Sequence, residues 1–475
     1  MYRHTRQIVL LLLLLVLPAS AFAINGMLYE DNGQRVLHVW GDNYEMGYAH
    51  GYYLGPEIMA MMTVYTFPPE NAGPWLYRWA RWFITTHFYF EPDLLDELQG
   101  MYDGMIDAGV DPYVEVLRRD FDRDDLLTLF GLADLNSLFC ATVIGFDSVT
   151  ADVPELNGGL VVAHNTDYAK EEEDPWLAGK SSIIIAYTPD DPTQQPFVSL
   201  SFAGSPGVVA GMNAAGIGVV INKGRYIIPV EEMNLDPLPE PGPWLARKAL
   251  ATRDFNGDEQ DTIDDYFDYF VGVNHFSASI YQVFGPSDRS DPPTAALEIN
   301  NETRAMRYIE DDANLAPDVL VTLNYEYMLM PAPQPGDAAY ERLALATQLI
   351  NEEYARTLSI PNLWDYLEQL QLDSEIFTSQ QSSIMAPDAM RIALKTADDS
   401  GPAPLQTEYW HDFADLFAMP PVDDDTTDDD TVDDDTADDD TDDDATDDDE
   451  IDDDEIDDDA VDDDDDDDND GCGCR

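Results

Sequence analysis

The spacing of apolar residues changes near residue 140. Upstream of it, apolar positions recur every three to four residues from Pro92 to Met105, which is the period of an amphipathic helix. Pro92 suits a first helical turn and Gly109 suits a helix end, so we expect one helix between them. Residues 56–90 carry many aromatic side chains, which we interpret as helix packing and one wall of a groove. The upstream part is therefore predicted to be helical.

Downstream of residue 140, short apolar runs are separated by turn signals rich in glycine, asparagine and proline, which is typical of strands. The predicted strands are Ser182–Tyr187, Phe197–Phe202, Gly216–Asn222, Ala295–Ile299 and Val319–Leu323. Two helical stretches follow, near residues 336–353 and 363–372. Runs of strands flanked by runs of helices predict an α+β fold in which layered sheets are covered by helices.

The N-terminus carries an export pattern. Two arginines precede an apolar run from Ile8 to Leu17 and the small-residue site Ala21–Ala23. This pattern predicts a signal peptide, residues 1–23, and the run is too short for a transmembrane helix, which needs about 20 residues. No cysteine follows the cleavage site, which disfavours a lipoprotein anchor. We therefore expect a secreted, periplasmic or cell-surface protein.

The C-terminal segment, residues 422–475, is dominated by aspartate. From Asp423 to Asp470 it holds 34 of the chain's 97 acidic residues, and the formal net charge of the chain is −74. Such a segment repels itself and has no apolar face to bury, so we expect a disordered tail. Clustered carboxylates make calcium a candidate partner of the tail, although it lacks the Asp-x-Asp-x-Asp-Gly spacing of a calcium loop. The other 63 acidic residues make the body acidic too, which disfavours nucleic acid as a partner.

Cys140 is the single cysteine between the two ends, because Cys472 and Cys474 lie within the last four residues. An exported protein cannot use a lone cysteine for an internal disulfide, so Cys140 is either a core residue or a reactive group. It opens an apolar strand, and the next predicted strand, Gly159–Ala163, runs into the sequence His164-Asn165-Thr166-Asp167. Such a hairpin brings a candidate nucleophile next to polar side chains.

Several short motifs follow one another between Gly41 and Lys395. They are Glu45–Gly51 with Leu54-Gly55, the helix Leu95–Gly104, Cys140 itself, Ala163–Tyr168, Gly211–Gly218 with Asn222, and Val321–Tyr325. In order and spacing they resemble the isopenicillin N acyltransferase-type cysteine hydrolases, which belong to the N-terminal-nucleophile superfamily and are related to bile salt hydrolases. The resemblance implies an αββα sandwich of two antiparallel sheets covered by helices. Residues 24–139 would form the helical α chain and residues 140–421 the hydrolase core, or β chain.

The resemblance also implies a self-cleavage. Cutting the bond between Phe139 and Cys140 would leave Cys140 with a free α-amino group, whose ordinary pKa is about 7.7–8. Near neutral pH this amine accepts the thiol proton, so nucleophile and base belong to one residue. Asp167 would hold and orient the amine.

The remaining implied site residues are polar. Asn222 and Asn324 would donate amide hydrogens to the oxyanion of the tetrahedral intermediate. His164 or Asn165 would support the turn before Asp167, although bile salt hydrolases carry arginine where this chain has His164. The candidates for their later active-site arginine are Arg304 and Arg391.

The resulting hypothesis is a self-processing amidohydrolase. It would cleave linear amide bonds of an acylated small molecule through a Cys140 acyl-enzyme, with no cofactor and no metal. Its two fragments would stay associated, and the acyl chain would lie against the aromatic-rich residues 56–90. The export signal favours hydrolysis over acyl transfer, because coenzyme A thioesters are cytoplasmic and water is the abundant acceptor outside. The alternatives are an acyltransferase, a phospholipase B-like lipid hydrolase, and a non-catalytic calcium-binding surface protein.

Overall fold

The computed structural model describes residues 24–67, 74–135, 139–171, 174–225, 232–312, 314–372 and 374–418. The predicted signal peptide and the aspartate-rich tail lie outside the described residues. The residues on both sides of the Phe139–Cys140 bond belong to one folded unit. None of the helices within these ranges is long and apolar enough to cross a membrane.

The strands are short, at two to ten residues each. In chain order they are β1 Gly26–Asp31, β2 Gln34–Gly41, β3 Tyr113–Val114, β4 Arg119–Asp120, β5 Phe139–Gly145, β6 Val161–Ala169, β7 Ser182–Pro189, β8 Phe197–Phe202, β9 Ala210–Asn213, β10 Gly218–Lys223, β11 Ser279–Phe284, β12 Thr294–Ile299, β13 Arg304–Arg307, β14 Val319–Thr322, β15 Phe377–Ala386, β16 Arg391–Thr396 and β17 Tyr409–Asp412.

These strands form two large sheets and a small ribbon of β3 and β4. The larger sheet has the order β1-β2-β7-β8-β9-β10-β11-β12-β13, and the smaller has the order β14-β5-β6-β15-β16-β17. Neighbouring strands are antiparallel except for β2 and β7, which run parallel. The nucleophile hairpin β5–β6 therefore lies within the smaller sheet, between β14 and β15.

Helices cover the outer face of each sheet. They are α1 Asn43–Met61, α2 Trp75–His87, α3 Pro92–Asp107, α4 Arg123–Leu135, α5 Leu177–Lys180, α6 Gly242–Ala251, α7 Ile263–Tyr269, α8 Ala338–Gln348 and α9 Ile360–Gln369. Side chains of α1, α3 and α6 pack on the larger sheet, and those of α8 and α9 pack on the smaller one.

A third apolar core lies between the two sheets. Alternate side chains of a strand point to opposite faces, so Ile144 and Val162 of the smaller sheet meet Ile184, Val198 and Val220 of the larger one. Together with the two outer cores, this arrangement gives four layers in the order helix, sheet, sheet, helix. In this arrangement, a strand side chain points either into the core between the sheets or into a helix layer, and site residues project from one of these two faces.

Helices α1 and α3 lie close together because glycines stand where they touch. A Cβ atom on Gly47 would come within 2.0 Å of the carbonyl oxygen of Glu97, and one on Gly51 within 1.9 Å of that of Met101. A larger side chain at either position would push the helices apart. The glycine spacing in the first motif of the sequence is thus explained by helix packing.

The predicted fold class, an α+β sandwich of two sheets covered by helices, is confirmed. The helix predicted from Pro92 is α3, and each predicted strand lies within two residues of an observed one. One detail differs from the expectation of two antiparallel sheets, because β2 pairs in parallel with β7. That pair joins a strand from the upstream segment to a strand from the downstream one.

Candidate active site

The hairpin of β5 and β6 positions the candidate nucleophile. Cys140 pairs with Thr166 across the hairpin, and Phe139 pairs with Asp167. Because strand side chains alternate, Cys140 points the same way as Ile144, which belongs to the core between the sheets. Cys140 is fully buried. The thiol therefore lies at the end of the inter-sheet core, next to the bond that is predicted to be cut.

Two of the predicted residues are in direct contact. The backbone N–H of Cys140 donates to Asn324 Oδ1 at 2.9 Å, and the thiol lies 3.6 Å from the carbonyl oxygen of Ile221. Asn324 Nδ2 in turn donates to the carbonyl oxygen of Lys223 at 2.9 Å. Asn324 follows the end of β14, so it links the nucleophile strand to the end of β10 in the opposite sheet.

The surroundings of Cys140 strongly favour the neutral thiol over the thiolate. Burial raises its pKa to about 12, and the nearby carboxylate of Asp167 contributes to the rise. Backbone N–H groups of Lys223 and Asp167 face the sulfur and oppose that rise. The thiol is neutral at physiological pH, so the site needs a base before the sulfur can attack.

Asp167 is a fully buried carboxylate on the opposite face of the hairpin from the thiol. Its Oδ1 accepts a hydrogen bond from the hydroxyl of Ser379, and its Oδ2 lies 3.7 Å from Arg342 Nη2. Burial raises the pKa of Asp167 to about 6, and Arg342 and Ser379 limit the rise. Asp167 is therefore ionised at neutral pH and titrates in mild acid.

Arg342, on α8, is a site residue that the sequence interpretation missed. Besides its contact with Asp167, its Nη1 lies 3.4 Å from Asn324 Oδ1 and its Nη2 donates to the carbonyl oxygen of Leu370 at 3.2 Å. The spacing in the sequence could have indicated it. Arg342 comes three residues after Ala339 and four before Ala346, so it shares the helix face of these two buried alanines. An arginine on the buried face of a predicted helix needs an acidic or polar partner.

The two arginines proposed from the sequence lie elsewhere. Arg304 donates to the carbonyl oxygen of Phe270. Arg391 pairs with Asp412 at 3.0 Å and stacks over Trp410, with 44% of its side chain exposed. Neither contacts Cys140, Asp167 or Asn324. Both candidates are therefore replaced by Arg342.

His164 belongs to a buried hydrogen-bond chain beneath the nucleophile. Thr142 Oγ1 donates to Asn222 Oδ1 at 2.8 Å, so it must accept from His164 Nδ1, which lies 2.9 Å away. His164 Nε2 then accepts from the hydroxyl of Thr166 at 3.2 Å. Burial lowers the pKa of His164 to about 3, so the ring stays neutral. Both ring nitrogens of His164 are hydrogen-bonded, to Thr142 and Thr166. Through Thr142 the ring supports the position of Asn222. A direct part of His164 in proton transfer stays a prediction.

The chain of hydrogen bonds orients the amide of Asn222. Its Oδ1 faces Thr142, and its Nδ2 donates to the carbonyl oxygen of Thr322 at 3.0 Å. The same nitrogen carries a second hydrogen, as an oxyanion donor requires. Asn165 points to the helix layer instead, where it donates to the carbonyl oxygen of Leu367 at 2.8 Å and accepts from Ser382 at 2.6 Å. It supports the packing of α9 on β6.

The last turn of α4 is fastened beside the site. Lys223 Nζ donates to the carbonyl oxygen of Asp134 at 2.9 Å and lies 3.7 Å from Asp134 Oδ1. Asp134 Oδ2 accepts from the backbone N–H of Gly242 at 3.0 Å. The pair joins the upstream segment to β10 and α6. Residues 136–138, which lead to the predicted cleavage point, lie outside the described residues.

A small apolar cavity of about 50 Å³ reaches the hairpin at Thr166, the cross-strand partner of Cys140. Its lining residues are Met61, Leu129, Phe130, Thr166, Tyr168, Phe202, Ala203, Gly204, Ser205, Val209 and Pro243. Of the aromatic-rich segment 56–90, the cavity includes Met61, whereas Trp75, Trp79 and Trp82 are 68%, 49% and 54% exposed. The wall is built from α4, β6 and the turn after β8.

His50 holds one edge of this cavity. Its Nε2 accepts the backbone N–H of Gly204 at 3.1 Å, which requires an unprotonated nitrogen. Burial, together with the nearby charge of Arg247, lowers the pKa of His50 to about 3. The imidazole therefore stays neutral, and its hydrogen bond holds the turn between β8 and β9 next to α1.

Comparison with known proteins gives partial similarities. No family model matches the chain. An uncharacterised protein from Archaeoglobus fulgidus is 24% identical over 297 residues, which are 59% of this chain and 46% of that protein. The chain thus spans about half the length of the curated relative that it matches.

Three solved structures are similar to parts of the chain. An N-acylethanolamine-hydrolyzing acid amidase orthologue from Caenorhabditis elegans has a TM-score of 0.40 and 19% identity, over 57% of this chain and 99% of that one. A mutant of the conjugated bile acid hydrolase from Clostridium perfringens has a TM-score of 0.37 and 10% identity, over 59% and 95%. Penicillin V acylase from Agrobacterium tumefaciens has a TM-score of 0.37 and 10% identity, over 58% and 88%.

Proposed function

We propose that this chain is an N-terminal-nucleophile cysteine amidohydrolase of the isopenicillin N acyltransferase type. The observation that carries the proposal is the 2.9 Å hydrogen bond from the backbone N–H of Cys140 to Asn324 Oδ1. This hydrogen bond holds the backbone nitrogen of Cys140 in place. After cleavage that nitrogen becomes the α-amine of the residue that also carries the thiol. A nucleophile and its base are then supplied by one residue.

Self-cleavage is the first step of the proposal. The Cys140 sulfur attacks the carbonyl carbon of Phe139, the peptide C–N bond breaks, and the departing Cys140 nitrogen takes up a proton. That proton comes from the thiol and is carried by water, because the Asp167 carboxylate lies on the opposite face of the hairpin. Water then hydrolyses the thioester, which leaves a carboxylate on Phe139 and a free thiol and amine on Cys140.

Substrate turnover repeats this chemistry on an external amide. The neutral α-amine of Cys140 takes the thiol proton, and the sulfur attacks the substrate carbonyl. The developing oxyanion accepts from the second amide hydrogen of Asn222, whose orientation is fixed by Thr142 and Thr322. The amine product leaves with a proton, and water releases the acid from the Cys140 thioester.

The proposed substrate is an acyl amide with an apolar acyl group. The cavity beside Thr166 is lined largely by apolar side chains such as Phe130 and Phe202, which favours an acyl chain over a charged one. A highly anionic donor such as a coenzyme A thioester is disfavoured by the acidic body of the protein. We therefore propose hydrolysis rather than acyl transfer.

The proposal includes location and fragment association. The export pattern of residues 1–23 supports secretion, a periplasmic location or the cell surface. Association of the two fragments after cleavage is supported by the Lys223–Asp134 contact and by the parallel pairing of β2 with β7. Both would survive a cut between Phe139 and Cys140.

The test is the mass and activity of purified, reduced protein. Active protein should contain two fragments, one ending at Phe139 and one starting at Cys140, whereas Cys140→Ala should remain one chain. Cys472→Ala is the matched control and should be cut normally. Processed enzyme is then assayed in parallel on acyl amides, acyl esters and acyl-coenzyme A.

Each alternative gives a different result in this assay. Active protein with an uncut chain would contradict the proposal. Preference for the ester would indicate a lipid hydrolase, and transfer from the thioester to an amine that outruns hydrolysis would indicate an acyltransferase. Uncut, inactive protein that binds calcium would indicate a surface protein.

A further inference from the structure

The loop between α6 and α7 has the residue spacing of a calcium-binding loop. It runs Asp254-Phe255-Asn256-Gly257-Asp258-Glu259-Gln260-Asp261-Thr262-Ile263-Asp264-Asp265. In the 12-residue loop of EF-hand proteins, oxygen ligands stand at positions 1, 3, 5, 7, 9 and 12. Counted from Asp254, positions 1, 3, 5 and 12 are Asp254, Asn256, Asp258 and Asp265. Position 7 offers the carbonyl oxygen of Gln260.

Two residues of this loop have a left-handed backbone conformation. Gly257, at position 4, has φ of +77°, and Glu259, at position 6, has φ of +68°. Position 6 is where the calcium loop makes its sharp turn, normally with glycine. A glutamate held in the left-handed region at that position indicates that the loop keeps this turn at a cost in backbone strain.

Backbone N–H groups already hold the acidic side chains around the loop. Asp254 Oδ2 accepts from Glu259 at 3.0 Å, and Asp258 Oδ1 accepts from Gln260 at 2.8 Å. Asp265 accepts from two backbone N–H groups, those of Asn256 and Thr262, and it is buried. These bonds account for Asp265 as a helix cap of α7. A carboxylate oxygen has a second lone pair, so they also leave capacity for a cation.

Asp254 has an oxygen that these bonds do not explain. Its Oδ2 is turned across the loop to Glu259, while its Oδ1 is shielded from solvent and has no hydrogen-bond partner. A buried carboxylate oxygen without a partner carries a desolvation penalty unless a cation or a donor approaches it. This atom belongs to position 1, which supplies a calcium ligand in loops of this spacing.

We propose that residues 254–265 bind a calcium ion. The ligands are the side-chain oxygens of Asp254, Asn256, Asp258 and Asp265, and the carbonyl oxygen of Gln260. In the described part of the chain no three Asp, Glu, His or Cys side chains yet converge as metal ligands, so binding draws the carboxylates of Asp258 and Asp265 inward.

The expected affinity for calcium follows from two differences between this loop and the usual EF-hand loop. Aspartate at position 12 reaches less far than the usual bidentate glutamate, and glutamate replaces glycine at position 6. We therefore expect a dissociation constant of about 10⁻⁴–10⁻³ M, the range of extracellular calcium modules.

The ion stabilises one end of α6. The other end of that helix carries Pro243, which lines the apolar cavity. Arg247, in the middle of the helix, pairs with Glu97 at 2.7 Å. A helix of ten residues is about 15 Å long, so the loop stands well away from the end of α6 that carries Pro243. The site is independent of the proposed catalysis.

The experiment is hydrogen exchange of the full chain by mass spectrometry, at 10 mM calcium, 10 mM magnesium, or neither. Exchange in peptides covering residues 254–265 should slow in calcium, with half-saturation at roughly 10⁻⁴–10⁻³ M, and should change little in magnesium. Asp254→Asn and Asp258→Ala should each weaken the calcium response at least tenfold. Asp264→Asn, at a non-ligand position of the same loop, should keep it.

The local readout separates this loop from calcium held by the aspartate-rich tail. Exchange elsewhere in the body shows whether each variant is folded. No protection of the loop at 10 mM calcium would overturn the proposal. So would an equal loss of protection in Asp264→Asn, because that would assign the effect to net charge rather than to ligand position.

Discussion

Arg342 Nη2 lies 3.7 Å from Asp167 Oδ2, inside the helix layer behind the nucleophile hairpin. The other end of the same guanidinium approaches Asn324 Oδ1, the atom that accepts the backbone N–H of Cys140. One cation thus touches both the carboxylate that titrates near the scissile bond and the amide that holds the nucleophile's nitrogen. The electrostatics of the site depend on this arginine.

Replacing Arg342 with methionine should shift the pH dependence of activity. Arg342 lowers the pKa of Asp167, so its removal raises that pKa further above about 6 and extends the protonated range of Asp167 toward neutral pH. The acid limb of kcat/KM in processed enzyme should move to higher pH, with a loss of roughly tenfold at pH 6. Arg342→Lys keeps the charge and should keep the limb near its place. An equal loss at every pH would contradict this role.

Asp167→Asn should stabilise the uncut protein at high pH. The folded pKa of Asp167 is raised to about 6, so its protonated form favours folding below the ordinary pKa of the carboxyl group, and that contribution is lost as pH rises through 6. We compare Cys140→Ala with Cys140→Ala/Asp167→Asn, which are both uncut. Their Tm values should agree near pH 4, and the asparagine form should be more stable at pH 8 by about 2–3 kcal/mol.

A matched control for that comparison is Asp268→Asn, because Asp268 is exposed on α7. It should leave the Tm difference between pH 4 and pH 8 unchanged. If Asp167→Asn lowers Tm at both pH values, the carboxylate contributes more to folding by its contacts than its burial costs, and the prediction is wrong.

Thr142→Val should lower kcat and leave KM almost unchanged. It removes the hydroxyl that donates to Asn222 Oδ1 and accepts from His164, so the Asn222 amide is free to rotate away from the oxyanion. Loss of one oxyanion donor typically costs about 10²–10³ in kcat, and a misoriented donor should cost about 10–100-fold. Steady-state kinetics of processed Thr142→Val and Thr142→Ser measure it. The serine variant retains the hydroxyl, so a comparable loss there would contradict the relay.

Truncation after Pro421 should leave the chemistry intact. The aspartate-rich segment has only a few valine, alanine and isoleucine residues between its runs of acidic residues, too few to build an apolar pocket. We expect kcat/KM within a few-fold of the full chain, measured on the same acyl amide. A loss of two orders of magnitude, about 2.7 kcal/mol of transition-state stabilisation, would mean that the tail contributes to the site.

Local patterns were enough to predict the residues at strand ends. Cys140 and Asp167 lie on paired strands, one register position apart, because a hairpin is a local structure, and Asn324 follows a strand that pairs with β5. Alternation and turn signals therefore predicted their approach. Their roles in catalysis stay predictions until the assays above are made.

Contacts between helices and sheets could not be obtained in this way. Arg342 reaches the site from α8, whose rotation and distance depend on the packing of Leu363 and Leu367 in the neighbouring α9. The direction of the Thr142–His164 hydrogen bond depends on Asn222, which comes from the other sheet. Such relationships are set by tertiary packing, and they carry no regular spacing in the sequence.

The parallel pairing of β2 with β7 has a consequence for refolding. β2 lies upstream of the predicted cut and β7 downstream, and they share a register from Val36 opposite Ile184 to Gly41 opposite Pro189. Before the cut, the two strands find each other within one molecule. After it, they must meet by diffusion, and an unpaired β7 presents a sheet edge to other chains. Recovery of the uncut Cys140→Ala protein from denaturant should therefore be independent of concentration, whereas recovery of the mature protein should be second order and in competition with aggregation.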